Sequence, residues 1–505
     1  MTSNPGMLRI TLLSAAAAIA MGGVAEAQET TEARIARLET TLAELQGQLA
    51  DLKAASAASV GQVRAAQQAT VVSLGNGRPT IATGDGQFTA AFRGVFQLDG
   101  AIYDQESAGP LASDPRRGSF GDATENDHAR DLSDGANFRR VRLGVEGKAF
   151  GAFEYNFLYD FGGSGVEEGG KISAAWLQYN GPGPVKLRVG AYAPVTGLED
   201  AASSNSALFA ERASVAETVR GIAGGDGRTA IGILSSGERW NASAAITGNT
   251  IGVGSYDEQA SFVGRFAYVP YRRGSSLIHL GVNTTVVFSP AASGPDIAPG
   301  GAVTNIRLRD RPEIRVDGTR LVDTGNIDAD RLVSVGAEFG AQRGPLYLQA
   351  EYFDIKVDRR NRPLPDPDFS GWYVQGSWIL TGESRRYAIA NAGFDGPRPT
   401  RPFSPGDRQW GALELALRYS SLDLNFLENA TPAAGSVRGG EQDILSVGLN
   451  WYLNNAVTLQ AAYRHVQVDR TSPGGSAFGA GATPAINTPV GQDLNIWSFR
   501  TQYAF

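Results

Sequence analysis

From Gln87 to the C-terminal Phe505 the chain returns again and again to a two-residue period. In 139–146, Val141, Leu143 and Val145 fall on one side while Arg140, Arg142 and Glu146 fall on the other. The same split recurs in 185–192, 346–352 and 413–419, where Leu413, Leu415, Leu417 and Tyr419 oppose Glu414 and Arg418. It closes the chain, with Trp497, Phe499, Tyr503 and Phe505 opposing Ser498, Arg500 and Gln502. Successive side chains of a strand point to opposite faces, so each segment has one apolar, aromatic-rich face and one polar, charged face. A single alternating segment of about ten residues says little, but many in series are the signature of a barrel with lipid outside and polar groups inside.

Sixteen such segments can be laid out, from 87–98 and 137–148 to 456–469 and 492–505. The expected fold is therefore all-β, a 16-stranded antiparallel transmembrane β-barrel. An even number of strands puts both ends of the barrel on one side of the membrane. The connections mostly alternate short (Phe150-Gly151, 342–345, Asn454-Asn455) and long (99–136, 193–227, 290–329, 421–440, 470–491). The long, Pro-rich 382–407 falls on the short side and breaks the pattern. A soluble β-sandwich does not explain why the polar faces carry charges while the apolar faces carry aromatics.

Residues 1–27 read as a secretory signal: Arg9, an apolar run from Ile10 to Met21, and Ala25-Glu26-Ala27 ahead of Gln28. Over 28–60, Ile35, Leu38, Leu42, Leu45, Leu49 and Leu52 are spaced 3-4-3-4-3, an a/d seam of nearly three heptads. This predicts a short coiled-coil helix acting as an oligomerising stalk; a single helix lying against a neighbour is the alternative. An Ala/Ser/Gln-rich linker over 61–86 then leads to the barrel at 87–505. No later run is apolar enough for a spanning helix of about 20 residues.

The densest group of charge is in 306–320, where Arg307, Arg309 and Arg311 alternate and Arg315 and Arg320 follow. In an extended chain the first three guanidiniums form a row with about 6–7 Å between neighbours. Arginine stays charged and presents a planar fork of donors to oxyanions. A solvated basic loop is the plainer reading of the same stretch.

Other chemistries find little support. With no cysteine there is no disulfide, thiol nucleophile or Cys-based zinc site. His128, His279 and His465 share no motif, and Gly224-Gly225-Asp226-Gly227 lacks the Gly-Lys-Ser/Thr ending of a phosphate loop. Glu154 and Asp160 share a strand face but stand about 20 Å apart, too far to act on one bond. Glu146, Glu351 and Glu414 are isolated along their strands and suit the role of counter-ions to lumen arginines. No cofactor or metal is expected, and a net charge of −7 argues against nucleic acid as a partner.

Over 87–505 the chain resembles the phosphate-selective porin O and P family. The resemblance is carried by Phe138 to Gly147, Tyr155 to Phe161, Leu187 to Gly190, Gly197-Leu198-Glu199 and Ala210-Glu211-Arg212. It continues through Leu380 to Glu383, Gly448 to Tyr452 and the closing Phe505. It implies a homotrimer in the Gram-negative outer membrane, inward-folded loops, and a ladder of arginines leading small anions to a constriction. The family's Arg-x-Arg-x-Arg falls on Arg307, Arg309 and Arg311, and its next rungs on Arg315 and Arg320. The arginine of its third loop falls on Arg212, and its paired arginines on Arg139 and Arg140. Alternation puts Arg140 in the lumen and Arg139 on the face of Val141, which favours Arg140.

Two departures stand at the constriction. Asp200 replaces the family's lysine after Gly-Leu-Glu, and Asn205 replaces a second lysine; the site's aspartate falls at Ser173. The expectation is passive diffusion of small, phosphate-like anions, with the funnel kept and its centre altered. A porin of the same fold for sulfate or organic acids, and a non-conducting outer-membrane enzyme or tether, are the alternatives. The stalk would stand in the periplasm.

Overall fold

A computed structural model describes residues 31–105, 132–162, 170–295, 302–360, 363–472 and 486–505. The signal segment 1–27 and His128 lie outside them. Sixteen strands form the barrel wall: β1 (Thr89–Gln105), β2 (Gly135–Ala149), β3 (Phe153–Asp160), β4 (Lys171–Asn180), β5 (Val185–Ala191), β6 (Arg228–Ser236), β7 (Trp240–Thr250) and β8 (Ala260–Arg273). They continue as β9 (Ser276–Ser289), β10 (Ile327–Arg343), β11 (Leu346–Arg359), β12 (Asp368–Ile379), β13 (Ala412–Phe426), β14 (Val437–Tyr452), β15 (Val457–Asp469) and β16 (Gln492–Ala504). Each pairs antiparallel with its sequence neighbour, and β16 closes on β1 with Leu494 opposite Gln105 and Ala504 opposite Val95. Closure leaves no open edge to lipid, where an unpaired peptide group costs several kcal/mol.

The alternation seen in the sequence is the wall itself. On β13, Leu415 and Leu417 are 44% and 54% exposed to the outside, while Glu414 and Arg418 are fully enclosed inside. The three-residue turn between β2 and β3 has positive φ at both Phe150 (53°) and Gly151 (69°), a region that glycine enters at no steric cost. Phe150 packs edge-on against Phe88, ring centroids 4.9 Å apart.

Toward the long-loop end the polarity of the wall inverts. Ile355, Val357, Leu422, Leu424, Ile444, Val466 and Ile496 point inward and are buried, while Asp354, Lys356, Asp423, Asp443, Gln467 and Asp493 point outward. A tilted strand needs only about 9–11 residues to cross a bilayer, and β10, β11 and β13–β16 have 13 to 17. Their outer ends therefore stand in water and take the soluble pattern, charge outside and apolar inside. This is a departure from the uniform polar-in rule expected from sequence.

What fills that apolar interior is loop. The β5–β6 connection carries a short helix α2 (Leu198–Ala201) and a longer α3 (Ser214–Ala223); its Ala213, Val215 and Val219 join one core with Leu308, Ile314, Leu321 and Val322 of the β9–β10 connection and the inward side chains just named. The long 382–407 connection also folds inward. Its hairpin, Arg386–Ala388 with Gly393–Asp395, sets Phe394 and Tyr387 against Leu198, Phe209 and Tyr347. That removes the misfit: a long connection on the short-turn side is accommodated inside the barrel.

Described by itself, the N-terminal unit is a helix, α1 (Thr31–Gln68). It runs into the Ala/Gln-rich stretch because those residues keep high helix propensity. Its seam residues Ile35, Leu38, Leu42, Leu45, Leu49 and Leu52 are 51–65% exposed.

Candidate anion pathway in the barrel lumen

The 302–326 segment is held extended at two places. Asn305 and Ile306 pair with Asp328 and Ile327 at the start of β10, and Arg309-Asp310 pairs with Val322-Asp323 within the loop. This leaves Arg307 and Arg309 exposed on one face and turns Ile306 and Leu308 to the core. Arg307 Nε donates to Asp323 (2.7 Å), Arg311 Nε to the Gly318 carbonyl (3.0 Å), and Arg315 to Glu217. All five arginines of the row, Arg307, Arg309, Arg311, Arg315 and Arg320, line one cavity of about 380 Å³ with Glu217 and Asp310. Burial works against the Glu217 carboxylate, yet Arg315, Arg220 and Arg212 hold its pKa down at about 2. At Asp310 burial prevails: with Glu217 beside it, burial lifts its pKa to about 7 against the weaker pull of Arg315 and Arg311.

Next to this cavity is a second, smaller one of about 70 Å³, lined among others by Arg139, Arg140, Arg142, Lys171 and Arg315. Alternation had put Arg139 outside with Val141. The structure corrects this, because a β-bulge intervenes: Gln97 pairs with Arg140 but Leu98 pairs with Phe138, so Arg139 is the extra residue. Both arginines therefore face the lumen. Arg139 forks onto Glu211 (Nε 2.5 Å, Nη2 3.1 Å), and Arg140 donates to Gln97 Oε1 (2.6 Å). Arg142 binds Asp160 (2.7 Å) and Asp226.

At the departures from the family pattern, Asp200 is not an isolated carboxylate. It accepts from Arg220 (2.6 Å) and sits 3.2 Å from Arg212, whose other end binds Glu217 (3.1 Å). Asn205 lies elsewhere, in a cavity of about 490 Å³ toward the short-turn end with Arg78, Arg93, Arg386 and Arg398. Ser173 is buried in the wall of β4.

Sequence reasoning passed over the residues that pin the loops. Arg418 Nη2 donates to Glu199 (2.5 Å), Nη1 to Glu313 (2.9 Å) and to the Glu211 carbonyl (3.0 Å), and Nε to Gln375 (3.0 Å). Its guanidinium also lies 4.6 Å from the Phe209 ring. Arg500 forks onto Asp99 (2.6 Å twice) and donates to the Ala210 carbonyl (2.6 Å). Glu351 caps α2 by accepting from Leu198 N (2.6 Å) and Glu199 N (2.9 Å), so it is a helix cap and not an arginine counter-ion. Glu146 and Glu414 do pair with arginines, Glu146 with Arg78 and Arg93 and Glu414 with Arg385. The available signal was simple: a charged residue on the polar face of a spanning strand. Glu338 and Glu351 face each other across β10 and β11, but Arg265, His279 and Asn283 occupy the first and the α2 cap occupies the second.

Residues 116–505 match the family of phosphate-selective porins O and P. The chain belongs to that family. This porin is 26% identical over 407 residues to Porin O of Pseudomonas aeruginosa, covering 75% of this chain and 90% of that one. An uncharacterized protein of Caulobacter vibrioides is also 26% identical, over 64% of this chain and 61% of that one. Among solved structures it is similar to an anion-selective porin from Comamonas acidovorans, at 12% identity and a TM-score of 0.44 over 83% of this chain and 100% of the other. OmpT of Vibrio cholerae, in trimer form, matches at 10% identity and a TM-score of 0.44 over 83% and 99%. The porin resides in the outer membrane of a Gram-negative bacterium, and its family and barrel fold are those of an anion channel.

Proposed function

We propose that this porin passes small anions, phosphate-like oxyanions among them, down their gradient along an arginine-lined path in each barrel of a homotrimer. The observation that carries this is the convergence of Arg307, Arg309, Arg311, Arg315 and Arg320 on one cavity to which, among the described residues, two carboxylates contribute, Glu217 and Asp310. Arg139 and Arg140 carry the positive lining into the adjoining smaller cavity, and Arg212 is bound to Glu217, which lines both. Sites of moderate strength in series let an anion both arrive and leave, which conduction requires. Selectivity for phosphate itself is weakened by Asp200, which occupies Arg220 and Arg212 where the family pattern has a lysine. The exposed seam of α1 supports trimer formation, since three copies would cover the leucines. The stalk would then stand in the periplasm.

The test is reversal potential across a planar bilayer under a salt gradient. Replacing Arg307, Arg309 and Arg311 by Ala shifts it toward cations, and more at 0.1 M than at 1 M salt, where screening shortens from about 10 Å to about 3 Å. A cation-selective wild type overturns the reading.

A further inference from the structure

The wall of the arginine cavity is not uniformly polar. Ile222 at the last turn of α3, Val287 near the end of β9, and Ile306 and Leu308 of the loop share it with the five guanidiniums. At about 380 Å³ it is also far larger than an inorganic oxyanion needs. A phosphate displaces only about two or three waters at roughly 30 Å³ each, whereas cavities of roughly 300–1,000 Å³ with apolar walls and a few placed polar groups suit small organic molecules.

The guanidiniums are moreover already engaged. The fork of Arg307 is taken by Asp323, Arg315 is bound to Glu217, and Arg311 Nε is donated to the Gly318 carbonyl. A dianion stripped of its hydration needs many strong donors in return, and here it would also face Glu217 and Asp310 across the same space. A single carboxylate or sulfonate head needs fewer donors and meets less repulsion, and an apolar body behind it comes out of water against Ile222, the partly exposed residue of that wall, since Val287, Ile306 and Leu308 are already buried.

We propose that this cavity selects organic monoanions, a carboxylate or sulfonate head on an apolar body, over phosphate. The inference rests on the arginine-lined reading above and names the solute class that the same site prefers. Asp310 fits this assignment, because a carboxyl titrating at about 7 becomes a hydrogen-bond donor to an anionic head at mildly acidic pH.

The experiment uses the full-length protein in planar bilayers. Chloride current is recorded at about pH 7.5, where every fatty acid tested carries one charge, while acetate, propionate, butyrate, hexanoate or inorganic phosphate is added. Head-group charge is constant along the acid series, so the arginines contribute equally throughout. Fully burying a methylene is worth about fourfold in affinity; against a wall that is only partly apolar, the half-blocking concentration falls about threefold per methylene. Hexanoate then blocks at least tenfold better than phosphate. Ile222→Asn flattens the series, and if that variant does not assemble, Ile222→Thr serves. An anion-selective wild type with a flat acid series, or one blocked by phosphate as well as by hexanoate, overturns the organic-anion assignment and leaves the arginine path standing. A cation-selective wild type overturns both.

Discussion

Arg418→Met tests what holds the pore narrow. Arg418 is fully enclosed and bridges the β5–β6 loop through Glu199 and the Glu211 carbonyl, the β9–β10 loop through Glu313, and the wall through Gln375. Methionine fills much of the volume but strands Glu199 and Glu313 without their cation. Breaking a buried ion pair from one side costs about 3–5 kcal/mol, a change of roughly 100- to 3,000-fold in the ratio of docked to released loop. The barrel does not share that cost, because its closure rests on backbone pairing between β16 and β1 and along every other strand. The variant therefore assembles as a heat-modifiable barrel, but conducts with larger, noisier steps and is cut by trypsin at Arg212 or Arg220. Arg418→Lys restores little, since a point charge cannot reach four partners at once. Adding Glu199→Gln and Glu313→Gln to Arg418→Met recovers most of the docking by removing the stranded charges. The sign with pH follows from Glu199, whose pKa burial already raises in the docked state against the pull of Arg418. Without Arg418 docking needs it protonated, so the loop is held at low pH and lost as pH rises through the docked pKa. A variant with wild-type conductance and wild-type trypsin resistance at all pH values refutes Arg418 as the clamp.

Other consequences can be checked in the same assays. Asp200→Asn frees Arg220 and Arg212 of a counter-charge, so phosphate block of chloride current strengthens about tenfold; an unchanged block shows that this pair is remote from the path. Asp310 is ionised above its pKa of about 7 and neutral below it, while Glu217, near 2, stays ionised throughout. Anion-to-cation permeability therefore rises between about pH 8 and pH 6, and Asp310→Asn removes that rise. A Cβ on Gly94 would lie 2.3 Å from the Phe505 ring, which covers it, so Gly94→Val lowers the melting temperature of the assembled barrel by several degrees, as overpacking by about 1–3 kcal/mol does. Leu42→Ser with Leu45→Ser lowers the thermal stability of the oligomer without abolishing conductance; appearance of monomers alone makes the stalk the main oligomerising element.

The sequence by itself determined the wall. A strand's side chains alternate whatever surrounds them, so period-two segments with apolar, aromatic outer faces could be counted along the chain, and Arg140, Arg142, Arg418 and Arg500 could be placed on the inner side. What the tertiary structure decided depends on one segment meeting another far away. A one-residue bulge opposite Gln97 brought Arg139 inside, and no local pattern announces a bulge. The inverted polarity of Ile355, Leu422, Ile444 and Ile496 follows from strands that outrun the bilayer and from loops that fold back to cover them. The 382–407 connection turned inward because Phe394 and Tyr387 find Phe209 and Tyr347 there. Most of all, the charge of the pathway was set by pairings such as Asp200 with Arg220, Glu211 with Arg139 and Arg418 with Glu199, the last spanning 219 residues of chain. An arginine row is visible as residues in order; its net field depends on which carboxylates the fold brings against it.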